Sequence, residues 1–265
     1  MAKNRTRLTE KRIAKLKKMG RGMGCGPDYL PWVKIHDFSS MGRAKRRLGQ
    51  KSGRVIHLMS DGEEDVFLAL DASRDVLDIR EQYPLARTQT IMIAERLGVP
   101  HPRADGVDIV MTTDFLVDLK GGRQKAIAVK TENDLERRRV REKLDIERLY
   151  WTARGIPWHL ITKVEVDNAA RLNRQEVAEW HSVKDLTTPA EVWDARGHAL
   201  LLAIAEAPST PLLGLLKSVE TDHEWVPGTG ISTLKRLLAL GLPTKLSDDR
   251  LDLQASTDQL SLGSE

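Results

Sequence analysis

The chain has 265 residues, 40% of them hydrophobic and 30% charged, and a net charge of +4. It contains no apolar run of the ~18 residues needed to span a bilayer. The basic start MAKNRTRLTEKRIAKLKK lacks the apolar stretch of a secretory signal, and the single Cys25 cannot form an internal disulfide. These features argue against a membrane protein and a disulfide-stapled fold, and they point to the cytoplasm. The charge is unevenly placed: residues 1–55 carry 16 Lys and Arg against 3 Asp and Glu, a surplus of +13, which leaves −9 for the other 210 residues. A basic arm on an acidic body suits a polyanionic partner such as DNA. A solvated, partly disordered tail is the plain alternative.

Residues 9–19 read as a short basic helix, ended by GRGMGCGP at 20–27. These glycines invite comparison with a phosphate cradle, but no strand precedes them and no Gly-Lys-Ser/Thr closes them, so a flexible connector is expected. YLPWVKIHDF has an extended character. Arg43, Lys45, Arg46 and Arg47 form a second basic cluster that could face DNA. Ser60 then N-caps a helix with Val66, Phe67 and Leu70 at helical spacing. VLDIREQYPL predicts a strand stopped at Pro84, and TQTIMIAERLGV a helix ended by Gly98. VDIVMTTDFLVDLK and KAIAVK, separated by Gly121-Gly122, predict a hairpin. NDLERRRVREKLDIERLYWTARG predicts one long helix capped by Asn133 or Asp134, and IPWHLITK a further strand. This order of elements fits an α/β fold, a mixed sheet with helices on its faces. After Lys163 the pattern changes to short helices, with PTKLSD and RLDLQA as an extended pair and STDQLSLGSE as a frayed tail. The expected division is residues 1–165 and 166–265, the second part resembling a winged-helix domain.

The hairpin carries the chemistry. If Gly121 and Gly122 are its two loop residues, Asp114 falls opposite Val129, one step from Lys130. A carboxylate and an ammonium on adjoining strands are the arrangement in which metal-dependent nucleases hold a phosphodiester, and an ordinary salt bridge is the competing reading. Glu63 lies on the stripe of Phe67 and Leu70, where a carboxylate needs a partner. Ser60-x-x-Glu63 is also a capping box, which accounts for that glutamate without a metal. Glu147 shares a stripe with Val140, Leu144 and Trp151, so it could reach the site from the long helix, although an inward salt bridge suits it better. Glu132 could join the site only through a strand bulge. Gln82 in REQYPL suits site shaping or DNA contact and equally a packing or hydrogen-bonding role, and His57, His101 and Cys25 lack metal-ligand spacing.

The strings GRGMGCGPDYLPW, SGRVIHLMSDGEEDVFLALD, VLDIREQYPL, VMTTDFLVDLK, AIAVK and LDIERLYW, in this order over most of residues 20–165, resemble the TnsA family, the endonuclease subunit of Tn7-like heteromeric transposases. The resemblance implies a restriction-endonuclease-like nuclease domain. It implies Mg²⁺-dependent hydrolysis, with Mn²⁺ as a substitute ion, of the 5′ strand at each transposon end. It also implies a partner DDE-type transposase for the other strand and an AAA+ ATPase regulator. Glu63 and Asp114 match the family's acidic metal positions and Lys130 its catalytic lysine. Ala128 stands where the family has glutamine or glutamate, so that ligand does not carry over. Asp114, Glu63 and the Val129 backbone carbonyl remain for the metal. An assembly subunit with attenuated chemistry, linking transposase and ATPase regulator, is the alternative from another class, and a stand-alone restriction or repair nuclease is a third.

Overall fold

The computed structural model describes residues 8–37, 44–162, 168–181, 188–241, 244–246 and 250–262. The chain divides into two compact units, Met1–Glu165 and Val166–Glu265. Among the described residues, no helix is long and apolar enough to cross a membrane.

In the first unit, helix α1 (Glu10–Lys18) is capped by the Thr9 hydroxyl and turns Ile13 inward against Trp32 and Val110. The helix is anchored at its start rather than a loose arm: Glu10 pairs with Arg87 at 2.8 Å and the Leu8 amide donates to Asp105 at 2.7 Å. The loop after α1 is likewise built rather than a flexible connector. Buried Arg21 donates to the Pro31 and Trp32 carbonyls and pairs with Asp37. Gly22 and Gly24 adopt left-handed backbone, and a Cβ on Gly22 would overlap the Pro84 ring. YLPWVKIHDF does not run on as an extended segment; Ile35–Asp37 closes into a 3-10 turn. Strands β1 (Lys45–Gly49) and β2 (Arg54–Leu58) then form an antiparallel hairpin.

Helix α2 (Asp61–Ala72) starts at Ser60, whose hydroxyl accepts from the Glu63 amide, and it contacts two strands of the main sheet. That sheet is formed by β3 (Val76–Pro84), β6 (Thr112–Leu119), β7 (Arg123–Lys130) and β8 (Trp158–Thr162) in the order β3-β6-β7-β8. The first two pairings are antiparallel and the last is parallel, so the sheet is mixed. A parallel pair needs a crossover, and α4 (Glu132–Glu136) and α5 (Arg138–Thr152) supply it. Helix α3 (Arg87–Leu97), closed by left-handed Gly98, packs with α5. Leu116, Ala126, Ala94, Ile146, Tyr150 and Trp151 belong to one core between sheet and helices.

Three local expectations need correction. The segment from Val107 is not one strand: β4 (Arg103–Ala104) and β5 (Val107–Asp108) make a separate small ladder, and β6 starts at Thr112. The crossover is not one helix capped at Asn133 or Asp134. Thr131 caps α4 in a capping box with Asp134, and the chain breaks at Arg137 (ψ 114°). Arg141 takes the carbonyls of Leu135 and Glu136 that the break leaves free. The hairpin loop is three residues, Lys120, Gly121 and Gly122, because Leu119 pairs with Arg123.

The second unit is mainly helical: α6 (Asn168–Val177), α7 (Ala190–Glu206), α8 (Leu212–Asp222) and α9 (Thr229–Leu240), around Leu200, Ile204, Leu212, Leu216, Leu234 and Leu237. Here β9 (Thr244–Leu246) pairs with β10 (Leu260–Leu262), not with RLDLQA. The Leu253 and Ala255 carbonyls instead accept from the first amides of α8, whose N-cap, Pro211, offers no side-chain cap. Leu260 is buried in the core, so the tail is not frayed over 257–262.

Candidate active site

The site lies where two strands part. Pairing of β6 with β7 is recorded from Leu119↔Arg123 to Phe115↔Ile127, whereas β7 stays on β8 as far as Lys130↔Thr162. The N–H and C=O of one strand residue point to the same side. At Val129 both face the opening fork. The amide donates to Asp114 Oδ2 at 2.7 Å, and the carbonyl accepts from Lys130 Nζ at 2.7 Å. Lys130 Nζ also donates to Asp114 Oδ2, at 2.9 Å. One ammonium thus bridges a carboxylate and a backbone carbonyl, both hard oxygen donors. The three-residue loop shifts the register by one from the two-residue expectation, so continuing it sets Asp114 level with Ala128, two residues from Lys130.

Glu63, from the first turn of α2, accepts from the Met59 amide at 2.9 Å and the Ser60 hydroxyl at 3.2 Å. The capping box and the inward placement therefore hold together. Burial, and then the nearby charge of Asp114, push its pKa up to about 8. Burial alone would lower the Lys130 pKa, but the Asp114 carboxylate outweighs it and raises the pKa above the usual lysine range. Glu147 is buried on α5, where it accepts from the Thr113 hydroxyl at 2.8 Å and the Trp158 indole at 3.1 Å. Burial, and then Asp114, raise its pKa to about 7. It makes hydrogen bonds where an inward salt bridge was expected.

Gln82, which the sequence leaves open between site shaping or DNA contact and packing or hydrogen bonding, has its side-chain nitrogen 3.5 Å from Glu63 Oε2. Glu132 is exposed in the first turn of α4, so no bulge brings it into the strand. Ala128 is fully buried. Of the basic cluster, Arg43 lies outside the described residues. Lys45 and Arg47 both pair with buried Glu64, and Arg46 is exposed.

Residues 73–163 match the family described as TnsA-like endonuclease N terminal. Along almost its whole length the chain is similar to the transposon Tn7 transposition protein TnsA of Escherichia coli, 40% identical over 244 residues, which is 91% of this chain and 88% of that protein. The chain belongs to the TnsA family. Its mixed sheet flanked by helices is the restriction-endonuclease-like fold of a TnsA-like nuclease. The TnsA-family match takes in Asp114, Val129, Lys130 and Glu147, and Glu63 lies ten residues before it.

The residues present suit a hard divalent cation. Among the described residues no cluster of three His, Cys, Asp or Glu side chains is arranged for a metal. Asp114 Oδ2 and the Val129 carbonyl are nevertheless both within 2.9 Å of one cationic atom, Lys130 Nζ. Burial and then the charge of Asp114 keep Glu63 protonated up to a raised pH, and a bound cation would favour the ionised form of both carboxyls. Mg²⁺ accepts such a set because it keeps several waters.

Proposed function

We propose that the chain is the strand-cutting subunit of a transposase, hydrolysing the 5′ strand at transposon ends with Mg²⁺, or Mn²⁺ in its place. The observation that carries this reading is the fork at Val129, where Lys130 Nζ bridges Asp114 and the Val129 carbonyl. Asp114, the Val129 carbonyl and Glu63 would hold the ion. When bound, it supplies Lewis-acid charge at the phosphate and makes water more acidic. Lys130, released from its bridge, balances charge developing on the phosphate and orients the attacking water. Ser60 and the Met59 amide keep the Glu63 carboxylate aimed at the fork.

DNA contact falls to the cationic surface of the first unit. Lys11, Lys15 and Lys18 share a helical face of α1 away from Ile13, and Arg46, with Arg43, Lys45 and Arg47 in the same cluster, adds to it. The second unit, helices with a short two-stranded ribbon, is read as winged-helix-like and available to partners. The partners are a DDE-type transposase for the other strand and an AAA+ ATPase regulator, acting in the cytoplasm. This assignment draws on the family's association with transposition.

The test is Mg²⁺-dependent nicking of end DNA in the presence of the partner transposase. Wild type should cut and Asp114→Ala should lose about 10³-fold in rate. If wild type is inert while Ala128→Gln cuts, native activity is refuted. A second reading is favoured by buried Ala128, which offers no side-chain ligand: an assembly subunit with attenuated chemistry. Transposition products separate the two, since a cutting subunit supports simple insertion whereas loss of the second cut gives cointegrates.

A further inference from the structure

Four non-glycine residues among the described ones have positive φ: Gln82, Asp105, Ser209 and Glu224. The last three are exposed, whereas Gln82 is buried inside β3, with φ 47°. A left-handed residue within a strand is unfavourable unless the surroundings over-determine it. Here the ladder is recorded at Glu81↔Phe115 and Tyr83↔Thr113 but not between them, and Gln82 occupies the register position opposite Asp114. The row across the sheet is therefore Gln82, Asp114 and Ala128. The Gln82 backbone carbonyl accepts from the Trp32 amide at 3.2 Å, which fixes the turn of the chain from outside the sheet. Its side-chain oxygen accepts from the Thr112 hydroxyl at 3.1 Å, and its nitrogen is directed at Glu63 Oε2. A buried amide is costly unless paired, and this one is paired between a strand hydroxyl and the acidic helix residue of the site.

We propose that Gln82 is a positioning residue of the nuclease centre: the left-handed backbone aims its amide so that, anchored by Thr112, it holds the Glu63 carboxylate beside Asp114. The proposal rests on the metal-dependent reading of the site. It makes Gln82 the amide of the site, reaching it from β3, one strand beyond Asp114 from Ala128. Groups that orient ligands typically change metal affinity by about 10–100-fold when removed.

The experiment uses the full chain. Mn²⁺ affinity is measured by calorimetry, and strand cleavage with the partner transposase is measured against Mg²⁺ concentration, for wild type, Gln82→Leu, Gln82→Gly and Asp114→Ala. Both Gln82 variants should weaken Mn²⁺ binding about 10-fold and shift the Mg²⁺ half-saturation equally, with a near-wild-type rate at saturating metal. Gln82→Gly, relieved of its left-handed strain, should melt at or about 2–4 °C above wild type. If Gln82→Leu does not fold, Gln82→Gly decides. Wild-type metal affinity in the Gln82 variants, or a lower affinity that follows a lower melting temperature in Gln82→Gly, overturns the proposal. In either case loss of Mn²⁺ binding in Asp114→Ala leaves the metal site standing. Wild-type binding in Asp114→Ala overturns both.

Discussion

Glu63 and Glu64 are consecutive, both buried, and belong to opposite kinds of site. Glu64 faces the β1–β2 hairpin, where it is clamped by Lys45 and by Arg47 at 2.7 Å, with Asp61 sharing Lys45. Glu63 faces the β6–β7 fork, where its neighbours are another carboxylate and amide or hydroxyl donors. The hairpin neutralises its buried acid within the fold. The fork leaves acidic groups under-compensated, with Lys130 as the nearby cation. Buried charge without full compensation is expensive, and it collects at functional sites because a ligand can complete it. The same substitution should therefore have opposite signs at the two positions.

Glu64→Gln breaks the comparison on its structural side and has the largest expected loss of stability. The neutral amide leaves Lys45 and Arg47 without their buried counter-charge. Both cations are partly exposed, which reduces the loss from the ~3–5 kcal/mol of a fully buried pair to about 2 kcal/mol. Urea unfolding at neutral pH measures it. An unchanged midpoint would show that the clamp contributes nothing.

Glu63→Gln should stabilise instead. Its folded pKa, about 8, lies above the ordinary 4.5. Below pH 4.5 both states hold the proton and the residue has no pH-linked cost. As the pH rises toward 8 the unfolded chain ionises while the folded one retains its proton, so stability falls. Glu147, with its pKa raised to about 7, adds to this slope with the same sign. The gain from Glu63→Gln should be near zero at pH 4.5 and rise to a few kcal/mol at pH 8 without divalent ions, with cleavage lost. Melting curves across that range check it. A gain independent of pH would remove the electrostatic explanation.

The contrast also explains what could be read in the chain. Ser60 and Glu63 are local and showed both the cap and the inward carboxylate. Asp114 and Lys130 stood out because a glycine turn brings them together. The exact loop was not legible, since Lys120-Gly121-Gly122 and Gly121-Gly122 are equally turn-like, yet one residue changes the face presented by the whole strand. Lys45 and Arg47 read as surface cations because nothing local shows that Glu64 is buried. Gln82 was visible as a residue but not as a left-handed one, because its conformation depends on Trp32 and Thr112 from elsewhere in the fold.

Within the basic cluster the same logic predicts a division of labour. Lys45 and Arg47 are held by Glu64, whereas Arg46 points outward from β1. Arg46→Ala should leave the unfolding free energy from urea titration within about 0.5 kcal/mol of wild type. It should weaken DNA binding only a few-fold and reduce the slope of log affinity against log salt by about one, the signature of one lost phosphate contact. Binding titrations between low and moderate salt read both quantities. An unchanged slope would remove Arg46 from the DNA surface and leave that role to the lysines of α1. A large stability loss would instead place Arg46 in the hairpin's internal charge balance, with its two neighbours.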